Sequence, residues 1–421
     1  MNIYNVTSED IRDNIINLHN LVFEVTDNCN LKCEYCVYSD IYEGFDRRKG
    51  QRLSFRRAKL MLDYLIKLWS DNKKNVYYKD LFLGFYGGEP LLNIKLIKEI
   101  IDYMDLNCKD IRHKIIYTMT TNALLLDKYM DYLVEKNIHL LISLDGSKTG
   151  NSYRRTANNK ESFEKVFTNV INLKEKYPSY FESNINFNSV ITDRNSLDDI
   201  YDFFSTHFNK TPRISEINCN NVKDDCREKF TAMYQNKYKS ITRSTNKQKI
   251  NNELFISSPE VSSLTNFIFH HTGNTFYSYN DLLVDREKAK IVPTSTCVPF
   301  HKKMFITVNG KIMQCEKISH KYSLGEIKEN SIVFDYEKIA NDFNTYVNSI
   351  AAQCEHCYMN KTCSTCIFQM NDHFYGNNEK STAIPCFYSK QKHIKYIETN
   401  MIFLKENPSL YEKILRQVKL K

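Results

Sequence analysis

Cys29, Cys33 and Cys36 lie in the run Cys29-Asn30-Leu31-Lys32-Cys33-Glu34-Tyr35-Cys36, directly after the apolar stretch Leu21–Val25. Soft thiolates select zinc or iron–sulfur clusters. A closed structural zinc site takes four ligands, and this run offers three, spaced C-x3-C-x2-C. A cubane held by three cysteines keeps one iron open to a small chelating molecule. Seven further cysteines fall within 90 residues near the other end: Cys297, Cys315, Cys354, Cys357, Cys363, Cys366 and Cys386. A zinc ribbon is the alternative for these, but its cysteine pairs usually stand about 12–20 residues apart. Here the gap between Cys357 and Cys363 is five residues. A single zinc would also leave three of the seven idle, and two cubanes use them better.

Smaller motifs close the strand-like stretches. Gly87-Gly88-Glu89-Pro90 ends the second; two glycines admit a close backbone approach to a ligand, Glu89 offers a carboxylate and Pro90 halts the strand. Thr120-Thr121-Asn122 ends the third and Ser143-Leu144-Asp145-Gly146 the fourth, with Arg155 nine residues past that glycine and Arg154 equally charged beside it. An arginine can hold a carboxylate through two parallel hydrogen bonds. Asn188 and Ser189 lie on the fifth stretch, where ordinary strand polarity is an equal reading. Cys219 ends the sixth and is a candidate hydrogen-atom donor, although a buried inert thiol is the plainer reading. Cys108 follows a helix and reads as structural.

In this order the motifs resemble the radical S-adenosylmethionine (SAM) family. The C-terminal cysteines resemble the SPASM domain of members that modify peptides and proteins. The resemblance covers residues 20–390. It implies a [4Fe-4S] cluster on Cys29, Cys33 and Cys36 whose open iron binds the amino and carboxylate groups of SAM. It implies reductive cleavage of SAM to methionine and a 5′-deoxyadenosyl radical. Tyr35 is implied near the adenine, and Gly87, Gly88, Glu89 and Pro90 at the SAM amino group. Thr121 and Asn122 fall in the turn after strand three. Ser143, Asp145 and Arg155 are implied toward the SAM carboxylate and ribose, and Asn188 and Ser189 toward the methionine or ribose end. By order, Cys297, Cys315 and Cys366 would bind auxiliary cluster I, and Cys354, Cys357, Cys363 and Cys386 auxiliary cluster II, giving three [4Fe-4S] clusters. Leu324-Gly325-Glu326-Ile327 resembles that domain's "LGNI" element.

Four departures from the family pattern stand out. Ala123 takes the place of a glycine, which makes a positive backbone dihedral there less comfortable. Asn151-Ser152 replaces a His-Asp pair. The last gap of the cysteine run is two residues where three is usual, and an eighth cysteine is absent from residues 292–296. That absence implies an open iron on cluster I, able to take a substrate thiolate, water or another ligand. Glu316, directly after Cys315, stands where sulfatase-maturating relatives carry an aspartate base, and is a candidate general base.

The resemblance points to a maturase that abstracts hydrogen from a ribosomally made peptide and closes a thioether or carbon–carbon cross-link. Family analogy supports this more than any one residue does. The alternative enzyme is an anaerobic sulfatase-maturating enzyme forming formylglycine. A non-catalytic iron–sulfur electron-transfer or scaffold protein is the alternative of another class, and the intact SAM motifs argue against it. The implied partners are a peptide or protein substrate, a flavodoxin- or ferredoxin-type electron donor and a separate leader-binding protein, since twenty N-terminal residues cannot hold a leader-binding domain; alternatively the arm and bridge bind the leader.

Positioning these groups is the work of alternating strand-like and helix-like stretches. Strands are predicted over 21–25, 81–86, 114–119, 139–144, 184–191 and 213–218. Helices are predicted over 54–69 with Ser54 as N-cap, and over 94–104, 127–136, 162–177 and 196–208. Six β–α units in series predict a parallel sheet with helical crossovers: a partial (β/α)6 TIM-like barrel followed by a small cysteine-rich α+β auxiliary-cluster domain. Ligands belong at the C-terminal strand ends. The predicted organisation is an arm (1–20), the barrel (21–225), a helical bridge (226–295) with helices near 228–240, 246–256 and 259–270, the two-cluster domain (296–390) and a helical tail (391–421). A hairpin with a type I′ turn at Asn309-Gly310 is expected. The 421 residues carry 42% hydrophobic residues, 13 cysteines and a net charge of +8. No apolar run of membrane length, no secretory signal and no RNA-binding signature is present, so neither membrane nor nucleic acid is an expected partner. Thirteen thiols without a secretion signal predict metal in the reducing cytoplasm.

Overall fold

The computed structural model describes residues 3–219, 221–247, 292–357, 365–372 and 390–417, with short pieces between 250 and 268 and residues 360 and 363. The described chain divides into two units: residues 6–235 with 297–341, and residues 1–5, 236–296 and 342–421.

The first unit is built on one sheet of ten strands. Its core is β1 (Asn20–Thr26), β2 (Asp80–Gly87), β3 (Lys114–Thr121), β4 (His139–Ser143), β5 (Ile185–Ile191) and β6 (Arg213–Glu216). Each pairs in parallel with the next, the order that βαβ crossovers impose. The crossover helices are α2 (Phe55–Asp71), α3 (Ile94–Asn107), α4 (Leu126–Glu135), α5 (Phe163–Lys176) with α6 (Pro178–Asn184), and α7 (Leu197–Phe208); α1 (Ser8–Ile16) precedes β1. Ser54 caps α2 as expected, accepting the Arg57 N–H. The α/β class and partial barrel are as the sequence predicts. Four consecutive residues of β1, Phe23, Glu24, Val25 and Thr26, are buried, as in a sheet covered on both faces.

Four short strands extend this sheet past β1: β7 (Met304–Ile306), β8 (Lys311–Met313), β9 (Gly325–Ile327) and β10 (Ile332–Val333). β7 lies parallel to β1, and the rest are antiparallel. The β7–β8 hairpin corrects one expectation. Asn309 has no positive φ, and only Gly310 does, at +88°. Gly310 N–H donates to Thr307 O at 2.9 Å and Thr307 N–H to Lys311 O at 2.9 Å, so the turn is type I closed by a left-handed glycine. A Cβ on Gly310 would meet Ile327 O at 2.4 Å, so β9 leaves no room for a side chain there.

Two further elements differ from the sequence reading. The arm contains α1, whose Thr7–Asp10 capping box and buried Ile11, Ile15 and Ile16 were legible as a capped apolar repeat. The helix expected over 228–240 is broken into α8 (Arg227–Met233) and α9 (Lys237–Thr242). Tyr234 is extended and bridges Thr192, which takes it out of helical register. The expected helices over 246–256 and 259–270 fall largely outside the described residues. In the second unit, Val261, Leu264, Phe267 and Ile268 are buried in a cluster with Ile414. Helices Lys390–Glu406 and Ser409–Gln417 flank Pro408 there. No helix among the described residues is long and apolar enough to cross a membrane.

Ala123, in the turn after β3, is fully buried at φ +59°. A left-handed backbone costs an L-residue about 1–2 kcal/mol, of which a glycine's greater unfolded-state freedom offsets part. Ala123→Gly is therefore expected to raise stability by about 1 kcal/mol, read as a higher midpoint in denaturant; an unchanged or lower midpoint would contradict the strain.

Candidate metal centre and active site

β1 ends at Thr26, and the chain turns through Asp27 and Asn28 into the cysteine run. β2 ends against that turn. Gly88 N–H donates to Thr26 O and Glu89 N–H to Asn28 O, both at 2.8 Å. A Cβ on Gly88 would sit 2.0 Å from Asn28 O, and one on Gly87 2.2 Å from Thr26 O. The two glycines thus let two backbones meet and anchor the root of the cysteine loop. The chain after β4 holds the other side: Lys32 N–H donates to Arg155 O at 2.7 Å and Glu34 N–H to Tyr153 O at 3.2 Å. Cys36 N–H closes a turn on Cys33 O at 3.1 Å.

Beneath the loop, Asp145 is a fully buried hub. Arg154 grips it with both arms, Nε to Oδ2 at 2.8 Å and Nη2 to Oδ1 at 2.9 Å. Val190 N–H donates to Oδ1 at 2.8 Å, and the Tyr35 hydroxyl donates to Oδ2. The Arg154 guanidinium also sits 5.4 Å from the Tyr35 ring centroid, within cation–π range. Burial drives the Tyr35 phenol well above its ordinary pKa, although Arg154 opposes it, so Tyr35 stays a neutral donor. Asn151, at the departure from the family pattern, braces this hub by accepting the Asp145 N–H at 3.3 Å.

Glu89 links β2 to the thiols. Its Oε1 accepts the Thr121 hydroxyl at 2.7 Å and Leu91 N–H at 3.1 Å, and its Oε2 accepts Asn122 N–H at 2.8 Å. Burial raises its pKa to about 7 against these donors. Asn122, so held, reaches Cys29 Sγ at 3.8 Å and Asn30 Oδ1 at 2.8 Å. Pro90 opens the 3-10 turn Pro90–Asn93, and Asn93 Nδ2 ties it to Val25 O at 2.8 Å.

Burial pushes Cys33 up to about 12 and also raises Cys29; Cys36 adds to both, and Cys29 to Cys33. The three are therefore within electrostatic reach of one another. Yet among the described residues no three His, Cys, Asp or Glu side chains converge tightly enough for a single metal ion. Three soft thiols on one loop are the donor set that a cluster would take, and its positive charge would offset their mutual repulsion.

The remaining predicted residues divide. Ser143 and Asn188 face each other in the β4–β5 register, and Asn188 Oδ1 accepts the Ser215 hydroxyl at 2.8 Å. Ser189 is fully buried, and its Oγ has no hydrogen-bond partner among the described residues, as a ligand-facing hydroxyl would be. The Arg155 side chain instead turns to Asn159 O at 3.3 Å; it is the neighbouring Arg154 that is buried, a choice the adjacent charges left open. Cys219 is exposed rather than buried. Glu316 is paired with Lys303 at 2.9 Å. Burial raises its pKa, but the Lys303 charge and hydrogen bond prevail and hold it below the usual range.

Cys297 and Cys315 belong to the first unit and Cys354, Cys357, Cys363 and Cys366 to the second. Burial pushes Cys315 up to about 12. Cys354 ends the helix Tyr336–Glu355, and Cys357 N–H donates to its carbonyl at 3.2 Å. Cys386 lies outside the described residues.

Residues 23–204 match the radical SAM superfamily. This stretch is a radical SAM domain. The family implies a [4Fe-4S] cluster and SAM. Over 190 residues the chain is 29% identical to a cysteine-type anaerobic sulfatase-maturating enzyme of Clostridium novyi, covering 44% of this chain and 47% of that one. Over 200 residues it is 28% identical to the radical SAM cyclopropyl synthase TigE of Paramaledivibacter caminithermalis, covering 46% of this chain and 39% of that one. The chain thus spans less than half the length of these curated relatives. The solved structure of native anSMEcpe with bound AdoMet and Cp18Cys peptide matches with a TM-score of 0.63 at 17% identity, over 95% of this chain and 99% of that one. That is a likeness of fold.

Proposed function

We propose that this protein is a radical SAM enzyme that modifies a peptide, abstracting hydrogen from it and closing a thioether or carbon–carbon link. The observation that carries the radical chemistry is the cysteine loop itself, anchored by Gly88 and Glu89 on one side and by the Tyr153 and Arg155 carbonyls on the other. Cys29, Cys33 and Cys36 would hold the cluster, which with SAM supplies a carbon-centred radical. The chain's own residues hold that site in place. Asn122 donates to Cys29, Tyr35 and Arg154 are locked on Asp145, and Ser189 offers an unmet hydroxyl. Burial of these groups excludes water from a reactive centre. The auxiliary clusters on Cys297, Cys315 and Cys366, and on Cys354, Cys357, Cys363 and Cys386, belong to this proposal, as do the peptide substrate, the flavodoxin- or ferredoxin-type donor, the leader-binding partner and a cytoplasmic setting.

The second reading is a sulfatase maturase, favoured by the 29% match to the Clostridium novyi enzyme and by Glu316 after Cys315. One experiment separates the two. Anaerobically reconstituted protein is incubated with SAM, dithionite and the Cp18Cys peptide or a pool of synthetic single-cysteine peptides, and the products are analysed by mass spectrometry. A peptide lighter by two hydrogens with its sulfur retained supports cross-linking. Replacement of the thiol by an aldehyde supports the maturase. Release of 5′-deoxyadenosine with no altered peptide overturns both.

A further inference from the structure

Between the cysteine loop and α2, residues 37–49 touch two parts of the fold that lie on opposite sides of β1 in the sheet. At the root of this segment Ser39 N–H donates to Cys36 O at 2.8 Å. One attachment is to the chain after β6. Glu43 N–H donates to Asn221 O at 2.9 Å, Lys223 N–H to Ile41 O at 3.0 Å and the Tyr42 hydroxyl to Asn218 O at 2.7 Å. The other is to the connection between β8 and β9. Gly44 O accepts His320 N–H at 3.0 Å and the Ser319 hydroxyl at 2.9 Å. The two sides converge on Gly44, at φ +85°: a Cβ there would lie 3.1 Å from Ser319 Oγ and 3.4 Å from Asn221 Nδ2.

The attachments differ in kind. On the β6 side, Ile41 and Tyr42 are buried in an apolar cluster with Tyr35, Ile217, Val222 and Met233, against which Cys33 packs. Tyr42 also bridges Val222. Apolar burial makes this the lasting side. On the other side the contacts are polar. Asp46 Oδ1 takes Lys311 Nζ at 2.8 Å, Oδ2 takes Asn309 Nδ2 at 3.0 Å, and Asp46 N–H donates to His320 Nδ1 at 3.2 Å. The Asp46 and Lys311 side chains are 29% and 33% exposed, and a solvated ion pair adds little to stability. This side also carries an unmet group. Burial holds the His320 pKa below its ordinary value; Asp46 pulls against this and Lys311 adds to it. The ring is therefore neutral at pH 7 and above. Whichever nitrogen carries its proton, Nε2 has no hydrogen-bond partner among the described residues. An unmet buried polar atom is costly, and exposure to water on opening would relieve it.

We propose that residues 37–49 are a strap that gates the metal centre, turning on Ile41 and Tyr42 and latched through Gly44 and Asp46 to Asn309, Lys311, Ser319 and His320. Latched, the strap closes the gap between the chain after β6 and the β8–β9 connection, beside the cysteine loop. Unlatched, it opens a route to that loop. Loops that admit and then enclose a substrate work in this way, with the change confined to one attachment. The role concerns access alone and holds for any substrate, so it goes beyond the peptide-modifying reading.

Hydrogen–deuterium exchange of the reconstituted full-length protein, read by mass spectrometry, tests it. In the wild type the His320 amide, on the latch, should exchange about tenfold or more faster than the Lys223 amide, on the turning side, and both should be distinguishable from the slower strands β2 and β3. Asp46→Ala removes the carboxylate from the latch. It should speed the His320 amide about a further tenfold and leave Lys223 and the denaturant midpoint unchanged. Lys311→Met, the milder change, should act in the same direction to a smaller extent. Removal of iron by a chelator should quicken in the same order. His320 and Lys223 amides that exchange together at the rate of β2 and β3 would make the segment a fixed tether and overturn the gate. Unaltered His320 exchange in Asp46→Ala, or faster exchange without faster iron loss, would overturn it too.

Discussion

Replacing Cys29, Cys33 and Cys36 together by alanine is expected to reduce 5′-deoxyadenosine release to background and to remove about four irons per chain, one cubane's complement, from the reconstituted protein. The fold should survive. The loop is held by backbone bonds from Gly88, Glu89, Lys32 and Glu34, and none of these uses a thiol. Burial keeps the metal-free Cys29 and Cys33 thiols protonated, so alanine at those two positions removes no charge that the fold depends on. Iron and sulfide assays, nucleoside chromatography and far-ultraviolet circular dichroism measure the three parts. Nucleoside release that persists in the triple variant, or zinc in place of iron and sulfide in the wild type, contradicts the cluster assignment.

Asp145→Ala is expected to cost about 3–5 kcal/mol, the usual penalty for stripping one partner from a buried ion pair. Arg154 would be left charged in a site where its side chain is 9% exposed, and Tyr35 and Val190 N–H would lose their acceptor. The consequence reaches the metal centre. Arg154 lies between Tyr153 and Arg155, whose carbonyls hold Glu34 and Lys32. SAM cleavage should therefore fall along with stability, although Asp145 bears no thiol. The double variant Asp145→Ala with Arg154→Met should regain part of the stability, because it removes the stranded charge. Denaturant midpoints for the two single variants and the double form a cycle; additive losses would show that the pair is not coupled.

Much of the scaffold was legible before any coordinates. The strands over 81–86 and 114–119 are short, largely apolar stretches and the helices over 54–69 and 196–208 are apolar–charged segments, the first with Ser54 as a cap, and these signals are local. The placement of Gly87 and Gly88 was readable too, but not their partner. Gly87 meets the backbone of Thr26 and Gly88 that of Asp27 and Asn28, about 60 residues earlier, and no periodicity carries that pairing. The hairpin turn was misread because Asn309-Gly310 suits a type I′ turn and also a type I turn closed by a left-handed glycine, and the dipeptide alone does not choose between them. The break at Tyr234 likewise comes from a pairing with Thr192.

The sequence by itself determined the chemistry available: three thiols at C-x3-C-x2-C, a second set of seven, and a parallel run of β–α units that brings the first set to the strand ends. Those follow from side-chain identity and short-range periodicity. Only the tertiary structure decided which groups are committed and which are free. Of the adjacent cations Arg154 and Arg155, one is buried on Asp145 and the other turns outward. Of the acids, Glu316 is held by Lys303 while Glu24 is buried on the Val308 N–H. The physical reason is that burial and pairing depend on how the chain packs in three dimensions, and those set a group's charge and readiness more strongly than its type does.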